Sequence, residues 1–348
     1  MAQIRNKTLS SVLKKLTPEI EEYKANHNSK NKRNWKEYEY ELYIRTLQAI
    51  QGYEYYIEKA IKTLNLPDRN SIGRPNKLTL KQKCVLLLTK QLINKSNREM
   101  ALLTLIFSAL NGINISYKTI ERLYSDDKVN LVLNQLHRVI LNMKIDTSNI
   151  EVCGDGTGYS LTISKHYASE AQKLKNKLKE AKGQCIKKAK KKKLFFVYAF
   201  QLLDIKARKY ISFGTSFKSE QKAFYEAMKM AKELGISISS IRLDKYYSKQ
   251  MYVNYLSEFN KDMKFFLIPQ KNATIKGCNK WKNMLSNFVE NTQEYLGEYF
   301  KRNNSENCFS EDKRRFGSQI LQKRLDRINT VVFCKVLWHN LFWIGKRG

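Results

Sequence analysis

The chain has 348 residues, of which 64 are Lys or Arg and 32 Asp or Glu, giving a formal net charge of +32, and 42% of its residues are hydrophobic. This length allows two or three domains with a real core. So much positive charge repels itself in a compact state unless a polyanion neutralises it, and nucleic acid is the usual one. No stretch of 18 apolar residues is present, and the first residues (MAQIRNKTLSSVLKKL) lack the apolar core of a signal peptide, so a membrane partner is excluded and a cytoplasmic, nucleoid-associated protein is expected.

Six cysteines are scattered without a CxxC pair, and the four histidines are unclustered, which argues against a structural zinc site and for small core residues in a reducing compartment.

Residues 1–72 read as a polar helical region with Tyr and Trp interleaved among Lys and Glu. The breaker cluster Pro67 to Pro75 marks a linker, and Gly73-Arg74-Pro75 could serve as a minor-groove arm. Residues 73–145 then carry three helical segments. Thr79–Ile93 opens on an N-cap threonine, Asn97–Leu110 stops at Asn111-Gly112, and Ser116–Tyr124 begins on a capping serine and turns Ile120 and Leu123 inward. The trio fits a helix-turn-helix whose last helix shows Tyr117, Lys118, Glu121 and Arg122 to a major groove, and it equally fits a small helical bundle. On the first reading Lys118 and Arg122 bind DNA.

From residue 146 onward the pattern is that of strands and helices. Ile150–Cys153 is apolar-alternating and runs into Gly154-Asp155-Gly156-Thr157-Gly158. A lysine-rich insertion follows at about 165–193, and its run 187–193 offers phosphate affinity without sequence choice. Leu194–Leu203 and Lys209–Phe213 read as a hairpin, Ser219–Leu234 as a helix, Ile238–Leu243 as a strand delivering Asp244, Ser248–Asn260 as a helix and Phe265–Pro269 as a strand. A long helical region begins near Tyr295. The order describes an α/β fold, a ribonuclease-H-like mixed sheet flanked by helices and preceded by an all-α DNA-binding region.

Three carboxylates stand out. Asp155 interrupts an apolar strand, where an unpaired charge is costly, and the glycines around it suggest room for a phosphate. Asp244 ends a strand, at the sheet edge where open α/β folds place ligands. An acidic turn residue or helix cap is the plain alternative for both. Tyr299, Arg302, Glu306 and Lys313 lie at offsets 0, 3, 7 and 14, which on one continuous helix fall within roughly a 60° arc. Glu311 lies nearly opposite, and Phe309, Phe316 and Ile320 would anchor the flank. An Arg302–Glu306 surface pair would explain part of that stripe without any function.

The spacing Tyr-x2-Arg-x3-Glu-x6-Lys, met by Tyr299, Arg302, Glu306 and Lys313, resembles the motif of a large group of bacterial and archaeal insertion-sequence transposases of the Asp-Asp-Glu type. Asp155 in GDGTGYS and Asp244 in LDKYYS resemble the group's two aspartate motifs, although Tyr246 stands where the second motif carries glycine. The resemblance covers residues 150 to about 345. It implies that Asp155, Asp244 and Glu306 are the catalytic residues and hold Mg²⁺ or Mn²⁺, and that Tyr299, Arg302 and Lys313 contact phosphates near the element's end. It further implies cleavage of transposon ends and joining of the 3′-hydroxyl to target DNA, by a homodimer or larger synaptic assembly, with no small-molecule substrate. Some relatives stack a flipped base on a tryptophan between the second Asp and the Glu; Trp281 lies in that interval and reads equally as a core residue. A catalytically inactive or domesticated DNA-binding protein, and a nuclease that cuts without joining, are the alternatives.

Overall fold

The computed structural model describes residues 5–27, 34–66, 77–111, 114–142, 149–161, 196–322 and 324–344. The expected linker at 67–75 with its arginine arm, the helix stop at Gly112 and the lysine-rich insertion lie outside them.

Among the described residues six helices come first: α1 (Asn6–His27), α2 (Trp35–Leu64), α3 (Leu80–Ile93), α4 (Asn97–Asn111), α5 (Tyr117–Leu123) and α6 (Asp127–Asn142). Their starts follow from local chemistry. Thr79 and Gln82 form a reciprocal capping box on α3, and the Ser116 side chain accepts from the backbone N–H of Thr119 to start α5. Leu78, Met100, Ile115 and Ile120 make a small core among α3, α4 and α5. Lys118 and Arg122 are exposed on α5, whereas Glu121 turns back to pair with Arg327.

A six-stranded mixed sheet follows, in the order β3-β2-β1-β4-β5, with β6 on the far end of β1. The strands are β1 (Ile150–Leu161), β2 (Phe196–Asp204), β3 (Tyr210–Ser216), β4 (Ile238–Arg242), β5 (Lys264–Phe266) and β6 (Gln319–Ile320). β1, β2 and β3 form an antiparallel meander, while β4 and β5 add in parallel. Helices α7 (Glu220–Glu233) and α8 (Gln250–Ser257) make the crossovers, and α9 (Asn279–Glu290), α10 (Thr292–Phe300), α11 (Asn303–Phe316) and α12 (Leu325–Phe342) complete the chain. This is the expected α/β arrangement, consistent with a ribonuclease-H-like fold. No described helix is long and apolar enough to cross a membrane.

Strand alternation splits the core in two. Cys153, Tyr159, Val197, Ala199 and Leu203 face α12 and α11, together with α2, α3 and α6, so the N-terminal helices share a core with the sheet. Val152, Phe200 and Leu202 face α7, α8 and α9 on the opposite side. There α7 rides directly on β3: a Cβ at Gly214 would stand 2.1 Å from the Ala223 carbonyl oxygen, so only glycine admits this approach.

β1 runs on through all three glycines to Leu161, further than the expected Ile150–Cys153. The glycines do not hold space open for phosphate. On one face of β1, the room above Gly154 is filled by Leu243, Phe200 and Leu202, that above Gly156 by Glu220, and that above Gly158 by Phe196. α9 and β6 were not foreseen, and Trp281 belongs to the core: it is 5% exposed and donates from Nε1 to the Thr274 carbonyl at 2.8 Å.

Candidate active site

The parallel register of β1 and β4 sets the two aspartates side by side. Cys153 pairs with Arg242; β1 runs on to Asp155 two residues further, and Asp244 lies two residues past the end of β4. Neighbouring strands lie about 4.8 Å apart, and residues two apart share a face. Asp155 therefore points with Cys153 toward α11, beside the end of β4.

The expected single helix from Tyr299 to Lys313 is two helices. α10 ends at Phe300, and α11 starts at Asn303. The joint stays right-handed (Lys301 φ −57°, ψ −17°; Arg302 φ −55°, ψ −31°) but is wound by i→i−3 bonds, Arg302 N–H to Tyr299 O and Ser305 N–H to Arg302 O. Ser305 Oγ donates to Arg302 O, and Asn304 Nδ2 to Lys301 O, drawing those carbonyls from the ordinary ladder. At three residues per turn Arg302 comes back over Tyr299, so the stripe survives the break.

Arg302 reaches both sides of the site. Its Nη1 donates to Asp155 Oδ2 at 3.2 Å, and its Nη2 lies 2.8 Å from Glu306 Oε1. Burial pushes the Asp155 carboxyl up to about 6; Arg302 and the Gly156 N–H pull it down, while Glu306 and Asp244 push it up. Glu306 and Asp244 therefore both lie within reach of the Asp155 carboxylate. Tyr299 is 6% exposed, its ring 5.9 Å from the Arg302 guanidinium carbon, and burial together with Asp244 and Asp155 holds its hydroxyl above the usual range against the pull of Arg302. Lys313 is half-buried further along α11. The structure thus brings together Asp155, Asp244, Tyr299, Arg302 and Glu306; Lys118 and Arg122 lie apart, on α5.

The donor set, three carboxylates converging on one edge of the sheet, suits a hard divalent cation. Among the described residues no three such side chains already stand close enough to grip an ion, and a guanidinium spans the gap.

Sequence reading missed a second arginine beneath the site. Arg242 is 1% exposed, donates from Nε to Glu298 O at 3.2 Å and from Nη1 to Ser240 Oγ at 2.6 Å, and pairs with Glu151 and Glu298. It also lies 4.8 Å over the Phe266 ring. Arg242 is two residues before Asp244, and Glu298 precedes Tyr299, so this pair fixes the aspartate strand to the helix bearing Tyr299. Its signal was visible: the one charged residue of the strand ISSIR, if buried, needs partners.

A curated protein of Archaeoglobus fulgidus, the probable transposase for insertion sequence element ISA1214, is 40% identical over 287 residues, 82% of this chain and 81% of its own length. No family model and no solved structure matches the chain. The similarity runs over more than four fifths of both proteins, and on that ground the chain belongs to the insertion-sequence transposases.

Proposed function

We propose that the chain is an Asp-Asp-Glu transposase that cleaves the ends of its element and joins their 3′-hydroxyls to target DNA. The observation that carries this reading is Arg302 lying between Asp155 and Glu306, with Asp244 on the adjacent strand end. Asp155, Asp244 and Glu306 would hold Mg²⁺ or Mn²⁺. When bound, the cations supply an activated hydroxyl nucleophile and stabilise the leaving oxygen.

The chain's own residues do the positioning. β1 presents Asp155, the turn just after β4 presents Asp244 beside it, and α11 brings Glu306 across them. Arg302, once free of Asp155 and Glu306, would present a fork of donors to a backbone phosphate, while Lys313 would add a point charge along the same helix. The Tyr299 hydroxyl, beside Arg302, orients that fork. Lys118 and Arg122 on α5 extend the contact to DNA outside the site, and two copies would hold the two ends.

The test is an incubation of purified protein with DNA carrying the element's ends and Mg²⁺ or Mn²⁺. Cleavage and joining are expected from the wild type, and a loss of at least about a thousandfold from Asp155→Ala, Asp244→Ala or Glu306→Ala. Wild-type joining by any of the three would refute the site. Cutting without joining would identify a nuclease instead.

A further inference from the structure

A second cationic site lies on α11, on the flank facing α2. There a cleft of about 600 Å³ is lined by Tyr38, Glu41, Arg45, Arg208, Glu311 and Arg314, a size that suits a nucleotide. Arg45 and Arg208 both lie over the Trp343 ring, their guanidinium carbons 4.0 and 4.6 Å from its centroid. Glu311 is already taken by Arg315 at 2.7 Å. Four guanidiniums therefore meet two carboxylates, Glu41 and Glu311, an excess of two positive charges.

This excess sits in a half-closed place. Arg45 Nη1 and Arg208 Nε are closed off from solvent, and no acceptor meets them among the described residues. Burial, with Arg315 and Arg208 nearby, lowers Arg45 from the usual arginine range, against the pull of Glu311. Arg208 also sits at φ 52°, in the left-handed region, at the tip of the β2–β3 hairpin. Glycine or asparagine takes that conformation more readily, so an arginine there is strained. The fold thus gathers positive charge here against both electrostatic and backbone cost.

We infer that this cleft is a backbone-phosphate site for the DNA strand running off the catalytic centre. Its placement selects the ligand. Ser310 and Arg314 follow Glu306 by four and eight residues, about 6 to 12 Å along the helix, and by roughly 40° and 80° around it. At about 3.4 Å per nucleotide along a duplex strand, the site takes a phosphate some two to four nucleotides from the one at Glu306. The inference rests on the transposase reading above, because it takes DNA as the polymer that crosses Glu306.

The test measures binding of end-bearing duplex DNA by fluorescence anisotropy in EDTA, so that no cleavage chemistry enters. The triple variant Arg45→Gln, Arg208→Gln, Arg314→Gln is expected to bind about tenfold more weakly or worse, with the slope of log K against log salt reduced by about 1 to 2. Arg314→Gln alone, on an exposed side chain, gives a partial loss in a protein whose melting is unchanged, and the Arg45→Lys, Arg208→Lys variant restores the slope. Equal affinity and slope in wild type and Gln variants would overturn the inference while leaving the transposase reading intact. Absence of wild-type DNA binding would overturn that reading itself. Loss of poly-glutamate binding with DNA binding intact would assign the cleft to an acidic protein and overturn the inference.

Discussion

Arg302 donates to Asp155 across 3.2 Å and so places a fixed positive charge on the carboxylate that the sheet presents to α11. The same guanidinium reaches Glu306. A cation that needs both carboxylates must displace it. In DNA-free protein, Arg302→Gln is therefore expected to bind Mn²⁺ severalfold more tightly than wild type, by calorimetry or electron paramagnetic resonance, while joining activity falls. Affinity should weaken as the pH drops through 6 in wild type, since Asp155 must lose its proton to bind. An unchanged Mn²⁺ affinity in Arg302→Gln would remove the competition.

How far the site could be read from sequence depended on period and register. Asp155 and Glu306 stand out in the sequence, one as a charge in an apolar strand and the other within a helical stripe, and the structure sets both against Arg302. The break between α10 and α11 was not, because Lys301 and Arg302 keep right-handed dihedrals and the spacing carries on through them. β1 runs beyond the expected Ile150–Cys153 because the missing Cβ atoms of its glycines admit Phe200, Glu220 and Phe196 against the strand, where the sequence suggests room for a phosphate. The stripe Trp281, Met284, Leu285 and Phe288 was present to announce α9. β6, two residues long, carries no periodicity, and the cleft at Trp343 joins residues far apart in sequence that no local pattern links.

Gly214→Ala should be among the most damaging single-methyl changes. The added Cβ meets backbone of α7 at Ala223 O and Ala227 N, which cannot swing aside as a side chain can. A loss of about 2 to 4 kcal/mol is expected from overpacking in urea unfolding. Gly235→Ala makes a control with open space around it but φ 68°, so its smaller loss reports backbone strain alone.

Arg242→Met should destabilise the fold by about 3 kcal/mol, because Glu151 and Glu298 lose their buried partner and Ser240 its donor. Adding Glu298→Gln to Arg242→Met should recover part of that loss. Fully additive losses in a double-mutant cycle, read by chemical denaturation, would show that the pair does not act as a unit.

His339 offers the clearest pH signal. Its Nδ1 faces Asp312 Oδ1 and its Nε2 the Arg208 carbonyl, both at 2.9 Å, so both ring nitrogens meet acceptors and the imidazolium is the form that fits. Tyr210 donates its hydroxyl to the other Asp312 oxygen. Burial opposes the charge, but Asp312 and Cys308 together outweigh it, raising His339 to about 10 from an ordinary 6.5. A raised folded value stabilises fully below pH 6.5 and loses that contribution as the pH climbs toward 10. Buried Lys335, lowered to about 7, and Lys90, lowered to about 8, run the other way. The readout is therefore the stability difference between wild type and His339→Gln rather than either curve alone. That difference should be about 3 to 5 kcal/mol at pH 6 and shrink steadily between pH 6.5 and 10, by denaturant unfolding at each pH. A difference that stays constant across the window would mean that His339 is neutral in the folded chain.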